Sequence, residues 1–450
     1  MGFSKDFLWG AASAAHQVEG GYLDDGKGMG IWDTFEQKGG YIAHGETGAV
    51  STDHYHRFKE DVALMKQIGL KSYRFSISWP RVLPEGTGKV NEKGLQFYVD
   101  LTNELIQAGI EPLVTLYHWN LPTALYEKGG WKNPEIVAWF EEYTDVVTKA
   151  LSGKVKYWMT FNEPQVFAAG GYLAAFHAPF EQVDEAEFMQ ISKDIFLAHG
   201  KAVQKIRANC PGAKVGYAPS NPCVIPEKET PEKIEEARKL TFGADEKAYG
   251  FRVSWWSDPL ILGKFPEEAK EAFGDRLPEI SEEEWKEIAQ PLDFYGFNVY
   301  QGDTAEAAPP ADGYDRYSYC GSPKTAMDWN VTPAVLYWCC KFYYERYHLP
   351  LLITENGMAN YDWKALDGGV HDPARIDFVH RYLLNLKRAV DEGIPVIGYQ
   401  YWSLMDNLEW TFGYDKRFGM IYVDYRTLER TLKDSAYWYR DMIEENGENL

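Results

Sequence analysis

The chain has 450 residues, 45% of them apolar and 25% charged, a composition that specifies a soluble globular protein with no stretch biased toward disorder. Its formal net charge of −21 repels polyanions, which argues against nucleic acid and anionic membrane surfaces as partners and favours a small neutral ligand. The 16 tryptophans, 30 tyrosines and 23 phenylalanines build much of the core, and such an excess also suits a site that stacks flat rings on the apolar faces of a ligand.

The first predicted element lies in "FLWGAASAA", residues 7–15, which has the apolar run of a short signal peptide but not the positive stretch that should precede it, since Lys5 is followed by Asp6. It is expected to be a strand, over 8–12. Further buried strands are expected at 72–77, 112–117, 157–161, 214–217, 294–299, 351–354 and 396–401. Between them lie segments with helical spacing. In "EKGLQFYVDLTNELIQAGIEP", Leu95, Tyr98, Val99, Leu101, Leu105 and Ile106 form one apolar stripe that Gly109 ends. The same glycine punctuation precedes the strands in "QIGLKSYRFSIS" and "DEGIPVIGYQYW", where glycine supplies the left-handed residue after a helix.

Eight strand–helix units without a Gly/Ser-rich or Pro-rich linker predict an α/β fold, a single (β/α)8 barrel over residues 1–450 with elaborated loops at the carboxyl ends of its strands. A doubly wound open sheet is the alternative. No run reaches the roughly 18 to 20 apolar residues of a membrane-spanning helix. Five cysteines, with no Cys-x-x-Cys pair, argue against a disulfide framework or zinc site and for a reducing compartment, hence a cytoplasmic protein. Composition leaves a homo-oligomer open.

A barrel places its functional residues just past the carboxyl ends of the strands. There the sequence has Gln17, Arg74, His118, Trp119, Asn162, Glu163, Asn298, Tyr300, Glu355, Asn356 and Trp402, where plain loops would carry Gly, Pro, Asp and Ser. Amides, acids, imidazole and indole gathered together describe a carbohydrate pocket. Glu163 in "WMTFNEPQVF" precedes Pro164, which predicts an extended backbone at the acid. Glu355 in "LLITENG" repeats the arrangement. Two facing carboxylates suit glycoside hydrolysis, in which one protonates the leaving oxygen and the other serves the anomeric carbon. Their separation, which distinguishes retention from inversion, is not readable from sequence.

Competing motifs are weaker. "GYLDDGKG", residues 21–28, resembles a phosphate-binding loop but has Gly28 where Ser or Thr must hold the metal. "HYH", residues 54–56, lacks a third ligand and is expected to be a solvated helix start, so no metal is expected. The glycosylation sequon at Asn330 is followed by Pro333 and carries little weight.

The motifs "FLWGAASAAHQVEG", "YRFSISWPRVLP", "TLYHWNLP", "TFNEP", "FYGFNVY", "ITENG", "YWSLMDNLEW" and "GYDKRFGMIYVDY", in this order along nearly the whole chain, resemble family 1 glycoside hydrolases, retaining β-glucosidases and their relatives. The resemblance implies Glu163 as acid/base and Glu355 as nucleophile, with Arg74 and Tyr300 supporting the ionised nucleophile. It implies a sugar site of Gln17, His118, Trp119, Asn162, Asn298, Trp402, Glu409, Trp410 and Phe418, with Trp329 at the aglycone entrance. It implies a cis peptide between Trp402 and Ser403 and no cofactor. Glu163 is then expected to keep its proton near neutral pH chiefly because of the charge on Glu355, and to act as base once that charge is gone. Asn120 stands where relatives usually have Asp, and Leu408 where Phe is usual. Glu409 is retained, whereas the 6-phospho branch replaces it with a small residue and adds a phosphate-binding Lys and Tyr. The expected substrates are therefore free β-D-glucosides and short β-linked oligosaccharides, with β-galactosides or β-fucosides secondary. The alternatives are a 6-phospho-β-glucosidase and a non-catalytic carbohydrate-binding barrel.

Overall fold

In the computed structural model, which describes residues 2–220, 223–244, 246, 248–304 and 322–450, each of the eight expected strands forms. They are β1 (Leu8–Ala12), β2 (Ser72–Ser76), β3 (Glu111–Tyr117), β4 (Tyr157–Asn162), β5 (Lys214–Ala218), β6 (Tyr295–Asn298), β7 (Leu351–Asn356) and β8 (Val396–Trp402). All pair in parallel in the order β5-β4-β3-β2-β1-β8-β7-β6. The two outer strands meet, because Asp293 N donates to the Val215 carbonyl at 2.8 Å and Asn298 N to the Pro219 carbonyl at 2.9 Å. The sheet therefore nearly closes into a (β/α)8 barrel, and the open doubly wound sheet is excluded.

Alternation along the strands divides the side chains into two cores. On β3, Val114 and Leu116 join the large core between barrel and helices, while Leu113 joins Met159, Ala218, Phe294 and Leu352 in a separate cluster inside the barrel. The interior also holds polar groups. Gln400 Nε2 donates to Ser72 Oγ at 2.8 Å, and Arg74 Nε donates to Thr115 Oγ1 at 3.1 Å. Gly10 is required beside them, since a Cβ there would stand 2.1 Å from Gln400 Oε1 and 2.5 Å from the Ser72 carbonyl.

The helix endings follow the glycine punctuation. Gly69, Gly109 and Gly393 have φ of +78°, +77° and +90°. The helix Glu92–Ala108 buries Tyr98, Leu101 and Leu105, but Ile106 of the expected apolar stripe faces water. β4, β7 and β8 run one or two residues further than expected, so Asn162, Glu355, Asn356 and Trp402 belong to the strands themselves. "HYH" does start a helix, His54–Ile68; His56 is exposed as expected, whereas His54 is buried on Asp61 at 2.7 Å. Most of the segment between β6 and Thr325 lies outside the described residues.

Candidate active site

The interior polar layer converges on Glu355 at the end of β7. Arg74, fully buried on β2, donates from Nη1 to Glu355 Oε1 at 2.6 Å and from Nη2 to Asn162 Oδ1 at 2.6 Å. Tyr300 OH donates to the other oxygen, Oε2, at 2.5 Å. Among the described residues Glu163 forms no ion pair. Its Oε1 accepts from the Asn298 amide at 2.8 Å, which also donates to Asn162 Oδ1 at 3.0 Å while its own oxygen accepts from Thr354 Oγ1 at 2.6 Å. Asn298 is thus locked in one orientation by three partners.

These unequal settings separate the two acids. Burial first, and then the charge of Glu355, pushes Glu163 up to about 8, against the opposing pull of the Asn298 amide and Arg74. This reverses the expected order of causes, because the acid lies in a nearly dry layer of aromatic side chains. Burial also raises Glu355 above its ordinary value and outweighs the Arg74 charge and the Tyr300 hydroxyl, which pull it down. Glu355 remains the better stabilised anion of the pair, since a guanidinium and a phenol hold its negative form whereas one neutral amide holds that of Glu163.

Glu163 is not extended. Its φ is +45°, with its N–H donating to the Ala218 carbonyl at 2.8 Å. Proline excludes the right-handed helical region for the residue before it but leaves the left-handed one open. Trp119 and Trp410, at φ of +74° and +47°, share this uncommon conformation, so three residues around one cavity hold strained backbone.

That cavity, about 320 Å³, lies at the lower end of the range of small-molecule pockets, roughly 300–1,000 Å³. His118, Trp119, Glu163, Asn298, Tyr300, Trp329, Glu355, Trp402, Glu409, Trp410 and Phe418 all line it. Gln17, Arg74 and Asn162 are not in that set; Arg74 stands behind it, while Gln17 and Asn162 lie directly against the lining residues Glu409 and His118. Asn162 Nδ2 donates to His118 Nε2 at 3.1 Å, which leaves Nδ1 to carry the ring proton with no partner among the described residues. Burial, helped by Arg74 and His177, holds His118 neutral. Gln17 Nε2 donates to the Leu408 carbonyl at 2.8 Å and to Glu409 Oε2 at 3.3 Å, and its buried Oε1 has no partner among the described residues. Burial first, then the Glu355 charge, pushes Glu409 up to about 8. Unpaired donor and acceptor atoms beside indole faces can bind neighbouring hydroxyls and an apolar ring face together.

Trp119 Nε1 donates to the Asn162 carbonyl at 2.9 Å, and the His118 ring lies nearly parallel to those of Trp402 and Trp410 at 5.9 and 6.0 Å. Trp329, half-buried, packs 5.1 Å from Tyr300 and 6.0 Å from Phe418. The Trp402–Ser403 peptide is cis. Sequence reading missed Trp32 and His177, which line the cavity and meet edge to face at 4.7 Å. Trp32 sits on the helix Ile31–Lys38 in the connection after β1 and His177 in the loop after β4, where no strand end marks them.

Among the described residues, one group could ligate a metal: His16, Asp33 and Glu36. Lys27 Nζ already contacts Asp33 at 2.7 Å, so the cluster contains its own cation. It stands behind Trp410, whose ring stacks on His16 at 5.8 Å, and does not line the cavity.

The sequence profile of glycosyl hydrolase family 1 matches residues 1–448. A β-glucosidase A of Acetivibrio thermocellus is 43% identical, with 99% of each chain covered. The β-glucosidase A of Thermotoga maritima is 42% identical over 99% of this chain and 98% of its own. The structure of a Thermotoga maritima β-glucosidase in complex with glucoimidazole superposes with a TM-score of 0.91, covering 99% of both chains at 42% identity.

Proposed function

The chain belongs to glycosyl hydrolase family 1 and is a glycosidase, and from that premise we propose that it is a retaining β-glucosidase releasing terminal non-reducing β-D-glucosyl units. The observation that carries this reading is the inequality of the two buried acids: Glu355 on the Arg74 guanidinium and the Tyr300 hydroxyl, Glu163 on the neutral Asn298 amide.

In this mechanism Glu355 attacks the anomeric carbon while Glu163 gives its proton to the departing oxygen, forming a covalent glycosyl-enzyme. Esterification removes the charge on Glu355. Glu163 then binds its proton less tightly and takes one from the incoming water, which completes the second displacement with net retention. Gln17, His118 and Glu409 bind the outer hydroxyls, Asn162 the 2-hydroxyl, and Trp402 and Trp410 the ring. Trp119 and Phe418 shape the pocket wall, and Trp329 receives the aglycone. No cofactor enters any step. Residues 1–450 act as one catalytic unit, and its buried cysteines Cys210, Cys223, Cys339 and Cys340 support a cytoplasmic location. No helix among the described residues is long and apolar enough to cross a membrane.

A 6-phosphoglucoside is the less favoured substrate. With Glu409 pushed up to about 8, charge repulsion alone is weaker than the sequence suggests; the stronger argument is that no Lys or Arg is among the described residues lining the cavity. Purified protein is assayed on aryl β-glucoside, β-galactoside, β-fucoside and 6-phospho-β-glucoside. The glucoside should give the highest kcat/KM, and Glu355→Gly should be inactive until azide restores turnover to an α-glucosyl azide. Folded wild type with no turnover between about pH 5 and 8 would overturn the reading.

A further inference from the structure

The rim of the pocket leaves aromatic side chains in water. Phe176, in the loop after β4, lines the cavity and yet is 54% exposed. Its ring lies nearly parallel to that of Phe251, itself 36% exposed, with centroids 6.2 Å apart and planes at 18°. The two come from different strand connections, Phe251 ending the short 3-10 turn Tyr249–Phe251 after β5. Gly170 makes room for the pair, since a Cβ there would stand 2.8 Å from Phe176 Cζ. Two exposed phenyl faces held parallel at a pocket mouth are an unfavourable use of apolar area unless something flat covers them.

The chemistry of the cover follows from what the rim adjoins. The surface is continuous with the cavity through Phe176, and the described cavity lining carries no Lys or Arg, so the ligand is neutral where it leaves the pocket. A β-linked glucan is neutral, and each pyranose presents a flat face of C–H bonds to an aromatic ring. A non-reducing glucosyl unit seated on Glu163 and Glu355 must direct the remaining units outward to this rim.

We propose that Phe176 and Phe251 form a further sugar-binding subsite, for reducing-side units of a β-linked gluco-oligosaccharide whose non-reducing end occupies the pocket. This rests on the reading of the pocket as a β-glucosidase site. The test compares wild type, Phe176→Ala, Phe251→Ala and Phe251→Tyr on aryl β-glucoside and on β-1,4-linked glucose di-, tri- and tetrasaccharides. In each alanine variant the kcat/KM ratio of the longer oligosaccharides to the aryl glucoside should fall about two- to tenfold, the effect of one lost stacking contact. The loss should appear in KM, and Phe251→Tyr, which keeps a ring, should retain the wild-type ratio. An unchanged ratio in both alanine variants overturns the subsite, as does an equal loss on every substrate, which marks a packing contact between loops. Wild type that turns over aryl glucoside but shows either result loses only the subsite. Wild type inactive on aryl glucoside loses the glucosidase reading and the subsite with it.

Discussion

Glu163 and Glu355 are the same chemical group, and only their neighbours distinguish them. Activity needs Glu355 ionised and Glu163 protonated, so kcat/KM should be bell-shaped in pH. The basic limb should fall near 8, where Glu163 loses its proton, and the acid limb should lie above the ordinary carboxylate range because burial raises Glu355. Tyr300→Phe removes a hydrogen bond that favours the Glu355 anion, so the acid limb should move to higher pH. Glu163→Gln should lower kcat/KM on poor leaving groups by about 10²–10⁴-fold and abolish the basic limb. pH-rate profiles of the two variants check both outcomes.

Glu409 makes a stability prediction of the same kind. Its value is raised from 4.5 unfolded to about 8 folded, so the stability it contributes is complete below pH 4.5 and is lost as pH rises toward 8. Glu409→Gln lacks that loss. Its advantage over wild type should grow across this window, to on the order of a few kcal/mol at pH 8, while activity falls. Thermal unfolding at pH 4.5 and 8 checks it; a difference independent of pH would contradict the shift.

At the scale of elements, the strands deliver the acids and the outer helices fix the strands. The helix Glu185–Asn209 crosses Glu282–Ile288 so closely at Gly200 that a Cβ would stand 1.9 Å from the Glu287 carbonyl. Alanine is the better helix former by about 1 kcal/mol, but here overpacking against a backbone oxygen should win. Gly200→Ala should therefore destabilise the protein by about 1–3 kcal/mol in urea unfolding. The strands were legible because buried parallel strands read as short apolar runs, and Gly69, Gly109 and Gly393 mark the turns into them. Their ends were less so: hydrogen bonding carries β7 through Glu355 and Asn356, and polarity alone cannot say where pairing stops.

Across the whole molecule, the long excursion from β8 to the last helix, Asp434–Glu444, carries Glu409, Trp410 and Phe418 and is anchored by buried charge. Lys433 Nζ contacts Asp362 at 2.6 Å and Asp406 at 2.7 Å, Arg375 reaches Asp362 at 2.7 Å, and Arg417 reaches Asp406 at 2.6 Å. Arg375 also pairs with Asp372, so three cations balance three anions, and removing Lys433 leaves one buried negative charge in excess. Lys433→Met should cost about 3–5 kcal/mol and reduce activity on every glycoside alike, through the displaced loop rather than the acids. Chemical denaturation and kinetics on two aglycones check this. A loss confined to one aglycone would contradict it.

The amino-acid sequence by itself determined the eight strands, the punctuation between them and the acids at two strand ends, because each depends on a local run of side chains and a glycine able to adopt positive φ. Tertiary structure decided the rest. The left-handed backbone of Glu163 depends on the Ala218 carbonyl of the neighbouring strand, and the rank of burial over charge in its proton affinity depends on aromatic side chains from distant loops. Trp32 and His177 reach the cavity from the connections after β1 and β4, far apart in the chain. Proximity between residues far apart in the chain is set by packing, and local sequence does not encode it.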